Sequence, residues 1–300
     1  MKKIIFILII TALNSYTVKA QFDKPQMQVG IGFTIPYDQL KGDYLQNEIL
    51  GNYYLLTINE NFMTNNYGGK NGLNFFGKGK INFDKYSIVR GTFGLTYSSF
   101  NTFEAAKSGI IGVEVLNFNN ELDTIPTSIT YDYNFSNFNI GLGLEIAPTS
   151  FTGIFSPYFG ANFNFNFFGG ELARTENSYD SVVTDFGDFR MGINFDAGFE
   201  VTLNKKTSFA FGYRYDLGNL FYKNTNGSLS DAVEYGKSNI PLNDEQGRFY
   251  STIYGPVLSS VRRLVNSSEK KINWGTAYIG VNINLFETDK TKSKKAPPKK

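Results

Sequence analysis

Between Asp188 and Gly218 the chain alternates apolar and polar residues for longer than a soluble strand requires. Phe189, Met191, Ile193, Phe195, Ala197, Phe199, Val201 and Leu203 form one set; Arg190, Gly192, Asn194, Asp196, Gly198, Glu200 and Thr202 form the other. A period of two belongs to a strand with one apolar and one polar face. Asn204-Lys205-Lys206 turns the chain, and Phe209, Phe211, Tyr213, Tyr215 and Leu217 resume the apolar face against Ala210, Gly212, Arg214 and Asp216. Strands of soluble proteins usually have about five or six residues, whereas one that crosses a bilayer needs about 9–11. The hairpin therefore predicts two staves of a transmembrane β-barrel.

Six further segments carry the same pattern: Met27–Ile35, Leu73–Phe83, Ser87–Ser99, Asn137–Ala147, Tyr158–Phe168 and Thr276–Phe286. The segment Leu73–Phe83 is the weakest, because Gly77 and Gly79 fall on its nominal outer face. With the hairpin these make eight strands, an even number as a single-chain bacterial barrel requires, with ten as the alternative count. Short connections (84–86, 148–157, 204–206) alternate with long ones (36–72, 100–136, 169–187, 218–275), as short turns alternate with external loops in outer-membrane barrels. Within the long connections, Gly109–Phe118 and Ile125–Phe135 read as a hairpin standing above the membrane, with a bulge expected near Ser136, where the alternation changes phase. Within Tyr254–Val265, Leu258, Val261, Leu264 and Val265 fit one face of a short helix, and the plainer reading of them is an apolar patch packed on neighbouring loops. Closure makes the first and last strands neighbours, so the first and last long connections should pack together, with Asn52–Ile58 as the expected contact segment.

The first twenty residues have the form of a secretory signal peptide: Lys2 and Lys3, an apolar run Ile4–Leu13, and Val18-Lys19-Ala20 before Gln21. The expected organisation is thus a signal peptide over 1–20, a barrel over 21–286 and a Lys/Pro-rich periplasmic tail over 287–300. The sequence has no cysteine and no histidine, which removes disulfides, thiol nucleophiles, imidazole metal sites and Ser-His or Cys-His couples. No cofactor, no metal and no catalytic residue is predicted. A net charge of +2 gives no reason to expect nucleic acid. Mean hydropathy is −0.24, and nothing after residue 20 approaches the ~18 apolar residues of a membrane helix.

Alternation defines two faces without saying which is inside. A lipocalin-like soluble barrel turns its apolar set inward. Here the polar set is glycine, asparagine and isolated charges of both signs, unlike the lysine- and glutamate-rich exterior of a soluble protein, so the apolar set is placed outward in lipid. On the segments FNIGLGLEIAP, SPYFGANFNF, FAFGYRYDLGNL and AYIGVNINLF the chain resembles the outer-membrane β-barrel domain proteins of Bacteroidota-type bacteria, related in architecture to the OmpA membrane domain. The resemblance spans the signal peptide and residues from about 26 to 286. It implies the outer membrane of a Gram-negative bacterium, with both termini periplasmic, and no particular activity.

The residues singled out are the inward charges: Lys78, Lys80, Arg90, Glu145, Arg190, Asp196, Glu200, Arg214 and Asp216. A three-residue turn at 204–206 sets Asp196 opposite Arg214 as a cross-strand ion pair, and the same count around 84–86 sets Lys80 opposite Arg90. Distance from the turns predicts a lower layer of Lys80, Arg90, Glu145 and Glu200 and a middle layer of Lys78, Asp196 and Arg214. Eight strands leave room for little beyond side chains, so this set is read as a structural network, with a gate as the alternative. The expected function is a non-enzymatic structural or binding barrel, with a small pore or an accessory component of a secretion or uptake machine as the alternative. Expected partners are outer-membrane lipid, an extracellular glycan or protein at 37–72, 100–136 and 218–275, and an acidic periplasmic partner for the tail.

Overall fold

The computed structural model describes residues 25–42, 65–83, 88–102, 109–116, 122–148, 154–176, 182–204, 206–225, 239–251 and 263–285. The expectations for the signal peptide, the tail, Asn52–Ile58 and residues 254–262 lie outside them.

Eight strands close into a barrel: β1 (Gln26–Tyr37), β2 (Gly69–Asn82), β3 (Val89–Thr102), β5 (Leu122–Ile146), β6 (Phe155–Glu176), β7 (Val182–Thr202), β8 (Thr207–Phe221) and β12 (Asn273–Asn284). Each is antiparallel to its neighbour in the order β3-β2-β1-β12-β8-β7-β6-β5, and β3 pairs with β5 to complete the ring. The chain enters and leaves beside itself, Gln26 facing Asn284, at the end that carries the short turns. At one of these turns Leu203 N–H donates to Thr207 O, while Asn204 Oδ1 accepts from the N–H groups of Lys206 and Thr207.

The apolar set points out and the polar set in. Phe163 and Phe211 are 36% and 46% exposed, whereas Arg214 is 7% exposed, the reverse of a lipocalin-like interior. Burial alternates residue by residue because the side-chain period is two.

The strands outrun the expected segments. β5, β6 and β7 have 25, 22 and 21 residues, about twice what a bilayer requires. Their extra length continues the sheet past the long-connection end, where β4 (Gly109–Leu116) pairs with Leu122–Ile129; a hairpin occurs where one is expected, but its second arm is not Ile125–Phe135, because Thr130–Phe135 pair with β6. The bulge expected near Ser136 is absent: β5 holds one register against β6 from Ile129 to Ile146. The alternation changes phase for a different reason. Tyr133, Phe135, Asn137 and Asn139 all point inward, so the lining changes from amide to aromatic while the backbone keeps its pleat. Register shifts occur instead at Lys70/Gly72 and at Met191/Ile193.

The last long connection contributes β9 (Asn239–Ile240), parallel to β7, and a hairpin of β10 (Gly247–Ser251) and β11 (Arg263–Ser267). Leu264 and Val265 therefore belong to a strand, not to the helix expected over 254–265. A strand pairing satisfies their backbone, and one short helical turn gives no such cooperative gain.

Candidate functional site

The lumen holds a layered ionic network. Near the short-turn end, β5 places Glu145 directly across from Arg90 of β3, and β2 points Lys78 and Lys80 inward two residues apart. Glu145 accepts from three cations: Lys78 Nζ at 2.9 Å, Lys80 Nζ at 3.0 Å and Arg90 Nη1 at 3.0 Å. Glu200 of β7 takes Lys80 Nζ at 2.7 Å and Arg90 Nη1 at 2.9 Å, so both carboxylates lie at one level. Lys78 Nζ reaches on to Asp196 Oδ2 at 2.7 Å. Gly160 stands opposite Asp196, and a Cβ on it would come within 2.2 Å of the carboxylate, so glycine makes the room the acid occupies.

Two expected pairings differ. Asp196 does face Arg214 in register, yet Arg214 Nε donates along its own strand to Asp216 Oδ2 at 2.9 Å, and Asp196 is taken by Lys78. A short carboxylate aimed at the axis is met by the long lysine crossing the lumen, while the guanidinium lies along the wall. Lys80 faces Thr92, and Arg90 faces Asn82, so the register is two residues from the expected one. Phe83 N–H donates to Val89 O, which makes the connection five residues long and keeps the two cations off a directly opposed pair.

Above the ions the lumen is lined by amides and hydroxyls. Asn162 Nδ2 donates to Asn194 Oδ1 at 2.7 Å, Thr92 Oγ1 to Asn162 Oδ1 at 2.6 Å, and Asn137 Nδ2 to Asn166 Oδ1 at 3.0 Å. At the level of the ions, Tyr158 and Tyr278 meet hydroxyl to hydroxyl at 2.6 Å over Gly198 and Gly212, with Lys80 Nζ 4.9 Å from the Tyr158 ring. A cavity of about 30 Å³ remains beside Lys78, Asn139, Asn164, Asp196 and Arg214. Asn164 Nδ2 and Oδ1, Asn139 Nδ2 and Arg214 Nη2 have no partner there, and buried polar groups of that kind call for water.

The opposite end holds a cluster of aromatic rings and a strap, neither of which the alternation pattern marked as such. Phe100, Phe135, Phe168, Trp274 and Phe186 are buried inward, with centroids of neighbouring rings 5.7–6.2 Å apart. The change of phase at Ser136 was the signal for them. Over the rings lie Pro241–Asp244 and Ser267–Ile272. Arg190 grips Asp244 through Nε at 2.9 Å and Nη2 at 2.6 Å, and Asn219 Nδ2 donates to the same carboxylate at 2.7 Å. Of the predicted charges, Arg190 alone thus serves the strap, with Asp188 beside it at 2.9 Å.

Lys270 Nζ is enclosed by Asn243 O, Ser267 Oγ at 2.6 Å and Ser268 O at 3.3 Å, 5.7 Å from the Tyr67 ring. Burial drives its ammonium down to about 7 against the opposing pull of Asp244. Burial, and then the Asp244 charge, pushes the Tyr67 phenol up. Tyr67 donates to Leu242 O at 2.9 Å, and Ser268 Oγ to Asn65 Oδ1 at 3.2 Å. The first and last long connections therefore do pack together.

No metal-ligand cluster occurs among the described residues. No family model matches the chain, and no curated protein does. Similar solved structures include Neisserial surface protein A (10% identity, TM-score 0.40, 87% of this chain and 97% of that one) and OprG of Pseudomonas aeruginosa (13%, 0.39, 87% and 96%). Ail, the attachment invasion locus protein of Yersinia pestis, solved with the heparin analogue sucrose octasulfate, is also similar (8%, 0.34, 87% and 98%). At these identities and scores the likeness adds nothing to what the strand pairing already gives.

Proposed function

We propose that the chain is a non-enzymatic integral β-barrel of a Gram-negative outer membrane, sealed along its axis, which binds or organises at its long-connection end. The observation that carries this reading is the inverted surface: Ile31, Phe75, Leu144, Phe159, Phe199 and Ile279 are more than half exposed, while four cations and four carboxylates lie in the lumen. From Met27 to Tyr37 the outward residues of β1 run about 33 Å along the strand. At a tilt near 40° that is about 25 Å along the axis, the height of the apolar band of a membrane barrel.

The ionic layer at one end and the rings and strap at the other support a closed lumen. Strand length supports the placement of function, because β5 to β7 carry ordered sheet well beyond the belt. Contacts with a glycan or protein at 37–72, 100–136 and 218–275, and with an acidic periplasmic partner through 287–300, belong to the same proposal. The test is heat-modifiable migration of the membrane fraction together with planar-bilayer recording. A detergent-requiring, heat-modifiable protein without stepwise currents supports the reading. Release by carbonate alone refutes it.

The second reading, a small pore, is favoured by the cavity and its unpartnered amides, which describe a hydrated middle section. Stepwise currents altered by Asp196→Ala or Arg214→Ala would favour it.

A further inference from the structure

The outer surface of β2, β1, β12 and β8 is not a plain apolar cylinder. Gly77 of β2 and Ala277 of β12 stand where the neighbouring strands carry large side chains, and a Cβ at Gly77 would meet nothing within 4 Å. The result is a groove in two joined parts, of about 840 and 520 Å³, which share Ile31, Phe75, Phe211 and Ile279. Its lining is almost wholly apolar. The smaller part lies nearer the long-connection end, where it reaches Phe33, Leu73 and Ala277.

Above that part the chemistry changes within one turn of chain. Tyr37 and Tyr213 join hydroxyls at 2.7 Å, with Tyr213 lying over Gly275. Immediately beyond come four lysines. Lys41 follows β1 and bridges to Gly69, next to Lys70; Lys271 N–H donates to Gln39 Oε1 at 3.0 Å; and Lys223 follows β8. Asp38 accepts from Asn273 Nδ2 at 2.6 Å, and Glu269 pairs with Lys223 at 2.7 Å. Lys41 and Lys271 are exposed and have no ion-pair partner among the described residues.

An apolar groove in the belt, phenols at its mouth and the exposed ammonium groups of Lys41 and Lys271 just above reproduce in order the parts of a phosphate-bearing lipid. We propose that this face binds one anionic, phosphate-bearing membrane lipid, its acyl chains in the groove beside Gly77 and its phosphate at Lys41 and Lys271. Charge complementarity selects this occupant over a second copy of the chain, whose identical lysines would be brought together by a twofold axis. The inference rests on the membrane reading above.

The test uses the full-length protein in mixed micelles of phosphatidylglycerol and phosphatidylcholine at equal mole fraction, with bound lipid counted by native mass spectrometry. Wild type should retain phosphatidylglycerol preferentially. At about a fivefold change for each lysine near an anionic surface, Lys41→Gln with Lys271→Gln should lower that preference roughly five- to 25-fold. Gly77→Leu, for which the site has space, should reduce retention of both lipids while leaving their ratio unchanged. Unchanged retention in both variants would overturn the proposal. Loss of the bound lipid on adding millimolar inorganic phosphate would also overturn it, by assigning the lysines to free anions. Heat-modifiable migration of each variant separates these outcomes from failure of the membrane reading.

Discussion

Removal of the Glu145 charge tests the architecture of the lumen most directly. This carboxylate is fully buried and is the common acceptor for Lys78, Lys80 and Arg90, at 2.9–3.0 Å. In Glu145→Gln these three cations share two carboxylates, Asp196 and Glu200, and one positive charge is left in a closed space. Breaking a buried pair by deleting one partner costs about 3–5 kcal/mol, most of it the penalty on the orphaned ion. Deleting a matching cation removes the orphan. Lys80→Met together with Glu145→Gln leaves Lys78 and Arg90 facing Asp196 and Glu200, two against two, and should recover much of the loss. Trp274, the only tryptophan in the chain and fully buried, reports unfolding by its fluorescence during urea titration in lipid vesicles. The double variant should be more stable than Glu145→Gln alone. A single-variant loss below about 1 kcal/mol, or a double variant weaker than either single one, would refute the account of a shared, charge-balanced network.

Three other perturbations address the closed end. The Lys270 ammonium is buried with a value near 7 against 10.5 when free, so the unfolded or opened strap binds more protons between those pH values. The strap should therefore tighten as pH rises from about 7 toward 10 and be loosest below 7, read as falling acrylamide quenching of Trp274, and Lys270→Met should abolish the trend. Asp244→Asn takes the strap's carboxylate from Arg190, which keeps only Asp188 of its own strand, and should release the strap, raising Trp274 quenching and hydrogen exchange at 267–272 while the lower barrel stays protected. Phe135→Ala removes the ring that stacks on Tyr67, Phe168 and Phe186 and should cost about 3–5 kcal/mol; a loss under 1 kcal/mol would mean the rings only fill space.

The barrel was legible in the sequence because its code is local. Period-two alternation in Met27–Ile35 or Thr276–Phe286 is imposed by the pleat and needs no knowledge of what lies across the sheet. Membership of the lower layer was legible for a similar reason: counting from the turns placed Glu145, Glu200, Lys80 and Arg90 at one level. The partner of each charge was not. Register from turn length failed at 84–88, where the connection is two residues longer than its spacing suggested, and Asp196 found Lys78 across the lumen instead of Arg214 beside it. Contacts across a barrel depend on side-chain reach through three dimensions, which no spacing along one strand encodes. The aromatic plug was hidden by a different ambiguity. A change of phase at Ser136 is produced equally by a bulge, which moves the backbone, and by a change of surroundings, which moves none of it.

Alternation leaves the choice of inner face open, and the charges close it. Were the polar set turned outward, Lys78, Lys80, Arg90 and Arg214 would face hydrocarbon, at about 2–4 kcal/mol for each near the midplane. Turned inward, the four find Glu145, Glu200, Asp196 and Asp216 within 3.0 Å. In water the balance reverses, because the outward apolar side chains of all eight strands would then be driven inside, each by about 1.5–3 kcal/mol. One pattern thus admits two barrels, and the solvent around the protein selects between them. The exposed Phe159, Phe199 and Ile279 are what the proposed lipid surroundings would select, and in that setting the ion pairs fix which face turns inward.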